Sequence, residues 1–88
     1  MPDCSLVIPN EEGLHARPAA KFVKLANQFS SEIWVRKDDE EINGKSIMGL
    51  MMLAAEQGST IVISADGDDS EAALEKLSSL VNSGFTED

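Results

Sequence analysis

The sequence predicts an α+β fold, an open-faced sandwich in which three helices cover one face of a four-stranded sheet. Three observations predict it. Short runs such as Glu32-Ile33-Trp34-Val35-Arg36 alternate at period two, as half-buried strands do. Longer runs after Ala16 and after Asp69 repeat apolar residues at three and four, the spacing of one buried helix face. Apolar side chains segregate to one side of each strand, so only one sheet face needs cover.

The elements follow in the order strand, helix, strand, strand, helix, strand, helix. Cys4-Ser5-Leu6-Val7-Ile8 is a first strand with Cys4, Leu6 and Ile8 on one face, broken by the loop chemistry of Pro9-Asn10-Glu11-Glu12-Gly13. From Ala16 to about Asn27 a helix buries Ala19, Phe22, Val23 and Ala26, with Arg17, Lys21 and Lys24 along another face. The strand at 32–36 puts Ile33 and Val35 on one side and Trp34 on the other. Lys37-Asp38-Asp39-Glu40 turns it into a short partner, Glu41-Ile42-Asn43. Ser46 is placed to cap a helix through Leu53 that is apolar almost all round. Thr60-Ile61-Val62-Ile63-Ser64-Ala65 is the clearest strand. Asp68 with Glu71 resembles a capping box, opening a helix with the stripe Ala73, Leu74, Leu77, Leu80 and Val81. That helix stops near Gly84, leaving the polar tail Thr86-Glu87-Asp88.

Eighty-eight residues are expected to form a single domain spanning 1–88. Cys4 is alone, so no intrachain disulfide can form, and no signal segment or membrane-spanning apolar run is legible; a cytoplasmic, membrane-free protein is the expectation. A net charge of −9 argues against nucleic acid, whose phosphates need clustered cations. No metal-ligand cluster, nucleotide-binding glycine pattern or paired catalytic base is present, so no cofactor, no metal and no stand-alone enzyme is expected.

Chemistry concentrates in Gly13-Leu14-His15-Ala16-Arg17-Pro18-Ala19-Ala20. The histidine stands at a helix start, where the first backbone amides lack intrahelical partners and a proline costs nothing. Those amides, the helix dipole and the guanidinium of Arg17 together form an anion cradle. An unperturbed imidazole titrates at about 6.5, so at pH 7 most of it is a neutral nucleophile. Its Nδ1 atom is the one that can set a phosphoryl group over the amides of Ala16 and Arg17. Leu14 is placed to pack on the fourth helical residue as a hydrophobic staple and so fix the ring.

Around that site, Lys21, Lys24 and Lys45 either steer an acidic partner or are ordinary solvated lysines. Ile47, Met48 and Met51 are either core or an exposed docking patch, methionine being suited to adaptable surfaces. Ser46 at an N-cap satisfies a helix amide.

GLHARPAA, with Ser46 in the setting Asn43-Gly44-Lys45-Ser46-Ile47-Met48-Gly49, resembles the HPr family, the histidine-containing phosphocarriers of the bacterial sugar phosphotransferase system. The resemblance runs essentially end to end. It implies an antiparallel sheet in the order first, fourth, second, third, with Trp34 on the uncovered face, either as a contact surface or under partial cover by neighbouring side chains. It implies phosphorylation of His15 at Nδ1, enzyme I as donor, enzyme IIA domains as acceptors and a monomeric carrier. It also implies a regulatory role for Ser46 as a target of HPr kinase/phosphorylase; a phosphate there would repel an acidic partner. Glu12, and Glu11 beside it, stand where the family often has small or uncharged residues, and Asn27 and Gly49 where some relatives carry lysine. Two other readings stay open: a carrier of the nitrogen-related branch, and a regulatory binding module switched at Ser46.

Overall fold

The structure is a computed structural model that describes residues 1–86. Its elements are β1 (Asp3–Val7), α1 (Ala16–Ala26), β2 (Glu32–Lys37), β3 (Glu40–Asn43), α2 (Ile47–Leu53), β4 (Thr60–Asp66) and α3 (Ser70–Asn82). The strands form one antiparallel sheet in the order β1-β4-β2-β3, as the family resemblance implied. Its register runs from Asp3↔Ser64 to Val7↔Thr60 and from Glu32↔Asp66 to Arg36↔Val62, with Lys37↔Glu40 closing the hairpin.

Period two decides which side is covered. Ile33 and Val35 from β2 and Ile61, Ile63 and Ala65 from β4 are buried beneath the helices. Against them lie Ala19, Phe22 and Ala26 of α1 and Ala73, Leu77 and Val81 of α3, the stripes read from spacing. Truncating a side chain as enclosed as Phe22 to Ala would cost about 3–5 kcal/mol. Trp34 sits on the other face and is half-buried, among cross-strand neighbours Ser64 and Asn43.

Two local expectations change, and one left open is decided. β1 ends at Val7 rather than Ile8, because Ile8 leaves the ladder: its N–H donates to Ser59 O at 2.9 Å while its side chain remains in the core. The N-cap of α3 is Asp69, not Asp68, and no side-chain capping bond forms, so the expected capping box with Glu71 is absent. The Asp69 carboxylate instead accepts from Ser30 and Ser31, which ties α3 to the turn before β2. The apolar run at 47–53 divides: Leu50 and Leu53 are core, whereas its other large side chains are exposed. α3 ends at Asn82 with Gly84 beyond it at φ +73, close to the expected stop. Of the polar tail, Glu87 and Asp88 lie outside the described residues.

Candidate functional site

A tight loop delivers the chain to α1. Gly13 has φ +64, and a Cβ there would stand 2.3 Å from Ala55 O, so only glycine lets the loop lie this close to the segment after α2. Leu14 N donates to Ala55 O at 2.9 Å, and Asn10 braces the loop by donating from Nδ2 to Gly13 O at 2.9 Å. The Leu14 side chain is buried, as is Ala19, the fourth helical residue. The backbone on the core side of His15 is therefore fixed.

His15 is the N-cap of α1, with extended backbone (φ −82°, ψ −169°), and its side chain is exposed and makes no capping hydrogen bond. The first intrahelical bond runs from Ala19 N to His15 O at 2.8 Å. Ala16 and Arg17 thus have amides with no intrahelical acceptor, and Pro18 has none to satisfy. A Ser or Asp at this cap would have accepted from those amides. His15 makes no such bond, and Ala16 and Arg17 are exposed along with it. Arg17 is exposed and in no ion pair among the described residues, so its forked donors are free to meet an anion held by the amides. Ring nucleophile, amide pair and guanidinium come from consecutive residues of one turn.

The flanking residues divide. Lys24 is exposed. Lys21 and Lys45 are half-buried, and their ammonium groups are held by backbone carbonyls, Lys21 Nζ donating to Phe85 O and Lys45 Nζ to Phe29 O, each at 2.8 Å. Both are anchored to the fold in this way. Ser46 caps α2, its hydroxyl accepting from Gly49 N at 2.9 Å. Next to it Ile47, Met48 and Met51 are 44%, 71% and 42% exposed, an apolar patch rather than core. Met52, 72% exposed, extends the patch and was missed in the sequence reading; its position four after Met48 was the available signal. Among the described residues no group of three or more His, Cys, Asp or Glu is placed to hold a metal, and no helix is long and apolar enough to cross a membrane.

Comparison with known proteins follows the same lines. A family model described as the PTS HPr component phosphorylation site matches residues 3–83. Phosphocarrier protein HPr of Neisseria meningitidis serogroup A is 52% identical over 83 residues, covering 94% of this chain and 93% of that protein. HPr-like protein Crh of Bacillus subtilis is 51% identical over 69 residues, 78% of this chain and 81% of that one. The crystal structure of HPr-C-His from Thermoanaerobacter tengcongensis superposes with a TM-score of 0.95 at 50% identity, covering 100% of this chain and 99% of that one. With sheet order, helix start and sequence all in agreement along nearly the whole length, the chain belongs to the HPr family, the phosphocarriers of the phosphotransferase system.

Proposed function

We propose that this chain, a single domain over 1–88, carries a phosphoryl group on Nδ1 of His15, taken from phosphorylated enzyme I and handed to an enzyme IIA domain during sugar uptake. One observation carries the reading: an exposed imidazole at an N-cap, with no capping bond of its own, beside the open amides of Ala16 and Arg17. The Nδ1 lone pair attacks phosphorus as the donor's bond to it breaks; donation is the same step with the bonds exchanged. The amides and Arg17 stabilise the spread charge of the transferring group. Holding it too tightly would slow release, and an exposed cradle suits a carrier that must give up its cargo. The phosphoryl group arrives on the donor, so the carrier itself needs no cofactor.

The patch of Ile47, Met48 and Met51 is where both partners dock, with Lys21, Lys24 and Lys45 attracting their acidic surfaces. The carrier works as a cytoplasmic monomer. Incubation with enzyme I and phosphoenolpyruvate tests the proposal: an acid-labile phosphoprotein should form, His15→Ala should not label, and Arg17→Gln should label more slowly. Labelling of His15→Ala at the normal rate rejects the site. Transfer onward to enzyme IIA domains of the sugar and nitrogen branches decides the branch.

A second reading rests on Ser46. Its hydroxyl sits at the edge of the docking patch, and the chain is also similar to Crh, described as the Bacillus subtilis catabolite repression HPr. Phosphorylation by HPr kinase/phosphorylase would add about −1.5 to −2 charges there and oppose docking. Incubation with the kinase and ATP tests it; failure to label Ser46 removes the switch and leaves the cap.

A further inference from the structure

α1 and α3 lie side by side, and the groove between them has a composition unlike the rest of the molecule. Its floor is apolar, from Leu25 of α1, Phe29 in the turn beyond that helix and Leu80 of α3; its rim carries Lys21, Lys24 and Lys76. A fourth cation, Lys45, reaches the end of the groove, where its ammonium holds Phe29 O. Among the described residues no carboxylate lines it, and the chain has none from Gly13 to Ser31, although it carries 16 in all against seven Lys and Arg. Glu71 and Glu75 on α3 make no ion pair with these lysines; among the described residues the one ion pair is Lys37–Asp38. An acidic protein has thus gathered over half of its cations around one apolar concavity, where none of them meets a carboxylate among the described residues. Like charges so placed repel each other, and an anion entering the groove relieves that repulsion.

We propose that this groove binds a small organic phosphate, a dianionic head on an aromatic or alkyl body. Three rim ammonium groups match a dianion better than a single carboxylate, and Leu25, Phe29 and Leu80 give the body an apolar seat. Size selects a small molecule: a cavity of about 370 Å³ takes a ring with its substituents, not a helix about 10 Å across. The net charge of −9 excludes a polyanion extending beyond the rim. Neither His15 nor its neighbouring amides line the groove, so this site is separate from the phosphoryl cradle, and binding is read on the unphosphorylated chain.

The probe is phenyl phosphate, titrated into the isotope-labelled full chain, with inorganic phosphate and phenol as its two halves. The amides of Leu25, Gln28, Phe29 and Leu80 should shift saturably, and phenyl phosphate should bind at least about tenfold tighter than either half. Lys76 is exposed, so Lys76→Glu should leave the remaining spectrum intact while weakening binding about tenfold or more, the scale of one charge-assisted contact. Lys76→Arg should retain it. The proposal is overturned if those amides do not shift saturably, if inorganic phosphate binds as tightly as phenyl phosphate, or if Lys76→Glu binds like the parent chain.

Discussion

Asp69 at the start of α3 accepts from Ser31 twice, from its backbone N–H at 3.0 Å and from its hydroxyl, while Ser30 N donates to the other carboxylate oxygen at 2.8 Å. The Ser31 hydroxyl, then the Ser30 and Ser31 amides, hold the carboxyl below its ordinary range, at about 2 against 3.8. The folded state therefore refuses a proton that the unfolded chain accepts. The contribution to stability is complete above about pH 4 and is lost as pH falls through the interval down to about 2. Asp69→Asn should unfold more easily at pH 7, and the gap between the two proteins should close between pH 4 and 2. Urea midpoints across that range check it; a gap that stays constant would assign Asp69 no role in acid stability.

Gly13 and Ala55 are the second close pair. A methyl group at Gly13 would meet Ala55 O at 2.3 Å on a backbone already at φ +64, so Gly13→Ala must push the loop away from the segment after α2. The expected cost is about 1–3 kcal/mol. Because Leu14 and His15 hang from that loop, the rate of phosphoryl acceptance should fall as well, more than the loss of folded protein accounts for. Denaturant titration and labelling by enzyme I measure the two effects separately.

These pairs also explain what could and could not be read beforehand. The stripe of α1, the alternation at Ile33 and Val35 and the cap at Ser46 are local patterns, and each survives in the structure. So does the helix start at His15, because an N-cap depends on a few consecutive residues. The Asp68-x-x-Glu71 spacing misled because Asp69 is claimed by Ser30 and Ser31, some 38 residues earlier in the chain. The anchoring of Lys21 by Phe85 O, 64 residues away, was invisible for the same reason. In α2 periodicity had nothing to contrast, since six of its seven residues are large and apolar; packing against α1 and the sheet chooses Leu50 and Leu53 for the core.

α2 offers a direct comparison of those two roles within one turn. Met48 is 71% exposed and Leu50 fully enclosed. Met48→Asp should change stability by no more than about 0.5 kcal/mol yet slow phosphorylation by enzyme I, because it sets a carboxylate in the proposed docking patch. Leu50→Ala should cost about 2–5 kcal/mol and slow phosphorylation only in proportion to unfolding. Thermal melts beside initial labelling rates separate them. Normal labelling of Met48→Asp would move the docking surface elsewhere.

Ser46 carries two expectations that substitutions can pull apart. As a cap, its hydroxyl satisfies Gly49 N, so Ser46→Ala should cost about 1 kcal/mol. It should leave the phosphorylation rate of folded protein unchanged, since no charge is altered. Asp is also a good cap, and Ser46→Asp should hold stability within about 0.5 kcal/mol while placing a negative charge beside Ile47 and Met48. Its phosphorylation by enzyme I should therefore slow, most at low ionic strength and less as salt screens the repulsion. A salt-sensitive loss of rate without loss of stability is the signature of electrostatic opposition to docking. A Ser46→Asp chain that labels as fast as the parent at low salt would leave a phosphate at this cap with no physical route to His15.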